Sequence, residues 1–358
     1  MHELFLVIDW AMAIEKLILI AFIVILSLVV AMYETYAERK VAAFIQDRRG
    51  PNRAGPFGIL QPLADGLKLF MKEEIVPNLS NKFLFILGPG IAMLTAMMTS
   101  AVVPWSSHIV INGRNFDFQI ADVNIGILYI FGVVSMGVYG VMIGGWASNN
   151  KFSLLAAIRG ASQIISYELA MGLSLIALLM LSGSLSLRTI VEQQQDSIYY
   201  VFYQPVGFLI FLVCAFAECN RTPFDLSEAE SELNFGYHQE YSSMKLGFYL
   251  FAEYVNMFIS SAVMATIFFG GYDIPFVNDA NFGQEHGQTF LAILQGASLF
   301  IKVVIFIFFF IWVRWTIPRF RYDQLMRLGW KGLIPLALVN MIVTGFIILL
   351  KQYGWHFS

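Results

Sequence analysis

Apolar residues occur in long blocks along this chain, and most of its charge is gathered in the segments between them. A helix needs roughly 20 mainly apolar residues to cross a bilayer. Eight blocks qualify, at approximately 13–33, 83–103, 125–146, 161–183, 201–217, 247–270, 291–313 and 331–351. Glu168 interrupts the fourth, and the fifth is short. The pattern predicts an all-α, multi-pass membrane protein with eight transmembrane helices, forming a single membrane domain over residues 1–358.

Composition narrows the classes of chemistry open to such a chain. Of its 358 residues 58% are hydrophobic and 13% charged, against about a quarter charged in an ordinary soluble domain. The net charge of -3 is too small to imply a nucleic-acid partner. Cys214 and Cys219 make neither a disulfide framework nor a metal or cluster spacing, and the five histidines form no ligand pair. There is no phosphate-binding loop and no dinucleotide fingerprint. No catalytic set or metal site is therefore expected here, and any redox cofactor belongs on another chain. The first apolar block is long enough to span and leads into a dense basic loop, which predicts a retained helix rather than a cleaved signal.

The basic residues test the span count independently. Loop 34–82 carries Arg39, Lys40, Arg48, Arg49, Arg53, Lys68, Lys72 and Lys82, and the loops at 147–160, 218–246 and 314–330 continue the bias on the same side. Lys and Arg accumulate on the cytoplasmic side of membrane proteins. Eight spans with both termini on the opposite, periplasmic side follow, and the acidic loop at 218–246 becomes cytoplasmic.

Two stretches are more than connectors or simple spans. After the turns at Gly50-Pro51 and Gly55-Pro56, "FGILQPLADGLKLFMK" sets Leu60, Leu63, Leu67 and Phe70 on one face and Gln61, Asp65, Lys68 and Lys72 on the other. This predicts an amphipathic helix in the first cytoplasmic loop, lying in the membrane interface or docked to a soluble partner. The third span carries six glycines from Gly126 to Gly145, a pattern that lets membrane helices approach closely.

Charge inside the membrane is costly and usually faces a bundle interior, a partner or a water-filled path. Glu168, Glu253 and Glu218 are candidates for such a path. Lys302 reads either as part of it or as the structural counter-charge to one of the acids. Directly after the fifth span, "AECNRTPFDLSEAESELNFGYHQEY" collects Glu218, Asp225, Glu228, Glu230, Glu232 and Glu240 around a single base, Arg221. Ser227 with Glu230 fits a capping box, so helix-start chemistry explains some of these acids. On a helix, Asp225, Glu228 and Glu232 would share a face and repel unless protonated or paired. Crowded carboxylates titrate together with some affinities for protons raised, which suits them to holding and passing protons.

Taken together, "ERKVAAFIQDRRGPNRAGPFGILQPLADGLKLFMKE", "SQIISYELAMG", "AECNRTPFDLSEAESELNFGYHQEY", "FAEYVNM" and "RWTIPRFRYDQLMRLGWK" resemble one family throughout. It is the H-type membrane subunit of the proton-pumping NADH:quinone oxidoreductase, respiratory complex I, equivalent to subunit 1 of the mitochondrial enzyme. The motifs cover most spans and all four cytoplasmic loops in order. Asn234-Phe235 before Gly236 departs from the family, which more often has an aliphatic residue followed by a small one.

The resemblance implies a subunit that joins the membrane arm to the peripheral arm in the bacterial inner membrane. It would form the membrane side of a quinone chamber and bind no cofactor itself, with iron–sulfur clusters and FMN on partner subunits. Neighbouring membrane-arm subunits would be further partners. Arg39, Asp65, Arg221, Asp225, Glu228, Arg314 and Arg319 would line or border the chamber. Glu168, Glu218, Glu230, Glu232 and Glu253 would form a proton relay leading from it. The same subunit type in a hydrogenase or ferredoxin-linked complex is an alternative. A free-standing ion transporter is a more distant one, since no matched broken helices or inverted halves are visible.

Overall fold

The computed structural model describes residues 10–111, 114–195, 197–228, 230–275 and 287–352. Among these, seven helices are long and apolar enough to cross a membrane, and an eighth apolar helix, Pro205–Glu218, is shorter. In chain order the helices are α1 (Trp10–Ile45), α2 (Gln61–Met71), α3 (Lys82–Thr99), α4 (Gly126–Ala147), α5 (Lys151–Ser182), α6 (Leu187–Gln195) and α7 (Tyr200–Tyr203). They continue with α8 (Pro205–Glu218), α9 (Glu230–Leu233), α10 (Ser243–Phe268), α11 (Gln288–Thr316), α12 (Tyr322–Arg327) and α13 (Ile334–Gln352).

The boundaries depart from the hydropathy pattern in instructive places. Residues 34–45, assigned from sequence to a loop, continue α1, because nothing in "YETYAERKVAAFI" breaks a helix before Gly50-Pro51. The fifth block splits at Gln204, and Pro205 opens α8 from a first-turn position where its missing N–H costs nothing. At 1.5 Å per residue α8 is about 21 Å long, less than a bilayer's hydrocarbon thickness. The protein is all-helical as expected, apart from one short hairpin in which β1 (His108–Ile111) and β2 (Arg114–Asp117) pair antiparallel between α3 and α4. The β-branched run Ile109, Val110 and Ile111 favours the extended conformation of β1.

α10 is the central helix. Within its most apolar window 72% of residues are buried, against 11% for α1 and 17% for the α12–α13 segment, so those two form the outer edges. α10 packs on α1, α3 and α11, while α3 packs closely on α4. The glycines of α4 permit this approach. A Cβ on Gly140 would come within 2.8 Å of the Ala92 backbone, and one on Gly144 would overlap the Tyr249 hydroxyl. That hydroxyl donates to the Gly140 carbonyl at 3.0 Å. Gly132, by contrast, has open space beside it.

Lys302 sits on α11 and donates to the carbonyls of Phe269, Gly271 and Asp273 at 2.7–2.8 Å. It thereby caps the C-terminal end of α10, where a cation is favoured. Glu240 accepts a hydrogen bond from Asn150 at 2.7 Å. Cys214 and Cys219 are buried free thiols.

Candidate functional site

The site is built where the end of α1, α2, the segment after α8, the first half of α10 and the end of α11 converge. A cavity of about 460 Å³ opens between α1, α2 and α10, bordered by Glu38, Arg39, Asp65, Gly66, Tyr254 and Trp315, with apolar walls from Met32, Leu69, Leu250 and Phe251. Arg39 and Asp65, far apart in sequence, form an ion pair of 2.7 Å on its wall. Gln61 steadies Asp65 from one turn earlier on α2, at 3.1 Å. The apolar residues Leu63, Leu67 and Phe70 of α2 are exposed.

From this wall a continuous chain of side chains runs inward. Glu38 accepts from Arg314 at 2.6 Å and from the Tyr254 hydroxyl at 2.8 Å. The guanidinium of Arg221 lies over the Tyr254 ring, 4.1 Å from its centroid. Its Nη2 reaches Glu253 Oε2 at 3.5 Å, and Tyr237 donates to the other Glu253 oxygen at 3.3 Å. Both partners of the Arg221–Glu253 pair are buried. A guanidinium suits this place, since it stacks on aromatic faces and bridges carboxylates in fixed geometry.

Beyond Glu253 the chain continues through two small cavities of about 40 Å³ each, sized for a water molecule. The first is bordered by Glu253, Tyr237, Asn220, Asn256 and Glu218. The second shares Glu218 and Asn256 and extends along Thr99, Ser260 and Phe131. Phe131 also borders an open groove of about 420 Å³ that contains Glu168, whose carboxylate accepts from Ser135. Glu218, at the C-terminus of α8, thus borders both small cavities, and the second of them meets the Glu168 groove across the Phe131 side chain.

The acidic loop is held over the chain by local turn chemistry rather than by a long helix. Among the described residues of the loop the α-helix is the short Glu230–Leu233, followed by a 3-10 turn at Gly236–His238, so Asp225 and Glu228 do not share a helix face with Glu232. Asp225 accepts from the Glu228 N–H at 3.2 Å, a turn that competes with helix formation. Ser227, expected to open a capping box, has its hydroxyl buried without a hydrogen-bond partner among the described residues. Gly236 closes the loop at φ 73°, where a Cβ would strike the Ser227 carbonyl oxygen. Asn234, one of the two departures from the family pattern, takes a left-handed conformation at φ 68° that asparagine tolerates. The other, Phe235, packs edge-on against the His238 ring.

Two distant motifs fasten this loop. Gln163 of "SQIISYELAMG" donates to the carbonyls of Ala217 and Phe224 at 2.7 and 2.6 Å. From "RWTIPRFRYDQLMRLGWK", Phe320 donates to the Pro223 carbonyl at 3.3 Å and Trp330 to the Ser166 hydroxyl at 3.1 Å. Arg319 lies 3.9 Å from Asp225. Burial, and then the neighbouring Glu228 charge, push the Asp225 carboxyl up to about 7 despite Arg319 and Arg314.

Of the residues singled out from sequence, Arg39, Asp65, Arg221, Asp225, Arg314, Arg319, Glu253, Glu218 and Glu168 take the positions just described, and Glu228 borders Asp225. Glu232 is different: it is exposed and pairs with Arg159 at 2.8 Å, and it borders neither small cavity. The Glu230 side chain lies outside the described residues. Sequence reasoning passed over Glu38, Tyr254, Tyr237 and Asn256. Glu38 was hidden because its helix was ended at 33. A helical reading through "YETYAERK" would have put Glu34 and Glu38 at i and i+4 on one face. Among the described residues no group of three or more His, Cys, Asp or Glu could hold a metal ion.

Fold and site together define a multi-pass membrane protein whose lateral cavity is wired by buried charge to the middle of the bundle. The chain belongs to the NADH dehydrogenase family, whose profile matches residues 17–345. It is 64% identical over 336 residues to an NADH-quinone oxidoreductase H subunit, numbered 1, of Cytophaga hutchinsonii, covering 94% of this chain and 97% of the relative. It is 63% identical over 342 residues to the NADH-quinone oxidoreductase H subunit of Flavobacterium psychrophilum, covering 96% and 99%. A more distant relative, NADH-quinone oxidoreductase subunit 8 of Rhodothermus marinus, is 48% identical over 332 residues, covering 91% and 95%.

Proposed function

We propose that the chain is the membrane subunit of a proton-translocating NADH:quinone oxidoreductase that walls the membrane side of the quinone chamber and couples quinone reduction to proton movement. Its eight spans sit in the bacterial inner membrane with both ends on the periplasmic side, α8 being the short one. The open apolar side of α2 rests at the membrane interface. Peripheral subunits carrying the terminal iron–sulfur cluster cover the cytoplasmic face, and the Glu168 groove meets a neighbouring membrane-arm subunit. The observation that carries the proposal is the unbroken succession from the cavity at Arg39–Asp65, through Glu38, Tyr254, Arg221 and Glu253, to Glu218.

Quinone reduction leaves the quinone in need of two protons. Negative charge developing in a poorly solvated chamber raises the proton affinity of nearby carboxylates. Asp225 is poised for this, since burial and Glu228 already place it near 7. Glu253, Glu218 and Glu168 then pass the protonation change along the two cavities to the groove. Arg39, Arg221, Arg314 and Arg319 hold the acids in place. Glu232, paired with Arg159 on the surface, contributes nothing to this route.

Filling the chamber tests the proposal. Gly66 borders the cavity and a Cβ there meets nothing within 4 Å, so the side chain of Gly66→Trp starts from open space at the cavity wall. The complex should assemble normally and keep electron transfer to a soluble acceptor upstream, while quinone reduction falls by an order of magnitude or more. Normal quinone reduction in the assembled variant would place the quinone elsewhere.

A pH effect follows from Asp225. Below about 7 its carboxyl is mostly protonated, and above it ionised beside Arg319. The rate of quinone reduction should therefore show an inflection near 7, and Asp225→Asn should hold the low-pH behaviour across the range. A pH–rate profile with the inflection intact in Asp225→Asn would assign the titration to another group.

A further inference from the structure

Glu34 lies one helical turn deeper than Glu38 on the buried stripe of α1 formed by Ile23, Ser27, Ala31 and Glu38. It is only 3% exposed, and neither carboxylate oxygen has a hydrogen-bond partner among the described residues. Its neighbour Glu38 has two partners, Arg314 and Tyr254. A buried carboxyl without a hydrogen bond is costly, and inside a membrane domain such a group marks a functional position. The charges that act on Glu34 are Arg221, from the segment after α8, and Glu38. Cys219 lies in its field too.

Arg221 is the link between two acids. Its guanidinium faces Glu253 at 3.5 Å, and its Nε and Nη2 make no hydrogen bond. A guanidinium carries five N–H donors, so donors remain for a second carboxylate. The structure shows Arg221 against Glu253 while Glu34, within its field, is left bare.

We propose that Glu34 is a further proton-exchanging residue of this network and the alternate partner of the Arg221 guanidinium. When the guanidinium turns from Glu253 to Glu34, one proton leaves the Glu34 carboxyl and one is taken up by Glu253. No electron moves, and the three groups keep their total charge. The exchange sets Arg221 as a switch at the point where the chamber meets the route to Glu218. It rests on the relay proposed above.

The test is infrared difference spectroscopy of the assembled, membrane-embedded complex on quinone reduction, comparing wild type with Glu34→Gln, Glu34→Asp and Glu253→Gln. Glu34→Gln should remove a carboxylic C=O band from the difference spectrum, and Glu34→Asp should keep that band at a shifted frequency. A merely structural carboxyl would give neither change. If Glu253→Gln alters the carboxyl region and Glu34→Gln leaves it unchanged, the inference is overturned and the relay stands. An unchanged carboxyl region in all three variants removes the relay and the inference with it. Should Glu34→Gln fail to assemble, the Glu34→Asp band decides: a shift supports the exchange, and an unshifted band overturns it.

Discussion

Replacing Arg221 by methionine is expected to abolish quinone reduction and to lower the amount of assembled complex. The guanidinium is 4% exposed and touches two groups at once, the Tyr254 ring at 4.1 Å and Glu253 at 3.5 Å. Methionine fills part of the volume but takes away the guanidinium paired with buried Glu253, leaving Arg314 to offset the nearby Glu228 and Asp225 charges. Removing one partner of a buried ion pair costs about 3–5 kcal/mol, a large share of the stability of any domain. The loss is local, because Arg221 sits on the loop that carries Asp225 and Glu228 and against the helix that carries Glu253. Arg221→Lys separates charge from shape. An ammonium keeps the charge but loses the planar fork and the stacking on Tyr254, so assembly should recover while quinone reduction stays roughly tenfold low. Immunodetection of the assembled complex alongside NADH:quinone activity checks both variants. Wild-type values for Arg221→Met would show that the bridge between Glu38 and Glu253 is dispensable.

Glu218→Gln is expected to have the opposite character: near-normal assembly with defective proton movement. Glu218 forms no ion pair among the described residues and borders two cavities, so the isosteric amide fits without stranding a counter-charge. What it cannot do is take up and release a proton. A relay interrupted there should leave the quinone chamber and the Arg221 bridge intact, yet lower protons moved per electron, slow quinone turnover on the order of tenfold, or both. Glu232→Gln is the matched control, since the exposed pair with Arg159 contributes on the order of 0–1 kcal/mol at most.

Much of this site was legible in the sequence because its parts are either short-range or chemically conspicuous. Asp225, Glu228 and Arg221 are neighbours in one loop, and Glu253 and Glu168 stand out as carboxylates in apolar helices. The Arg39–Asp65 contact joins the two ends of one motif across the Gly-Pro turns, and only folding reveals that proximity. Glu38 and Glu34 were obscured for a physical reason: hydropathy marks where lipid contact ends, whereas α1 continues as a helix to Ile45. The acidic loop misled in another way. "LSEAESEL" has good helix formers, but the Asp225 turn and the contact of Gly236 with Ser227 override propensity and hold the segment open. Lys302 looked like a counter-charge within the membrane, and its three carbonyl contacts depend on where α10 ends, which no local pattern encodes. The hairpin at His108–Asp117 was missed because two four-residue strands leave a weak signal between long apolar blocks.

The most direct measurement is the number of protons translocated per electron during NADH oxidation by sealed membrane vesicles carrying the complex, compared among wild type, Glu218→Gln and Glu253→Gln. The account predicts that both variants assemble and that each lowers the ratio or arrests turnover, with Glu232→Gln unchanged. Full quinone reductase activity with an undiminished ratio in Glu218→Gln and Glu253→Gln would contradict it.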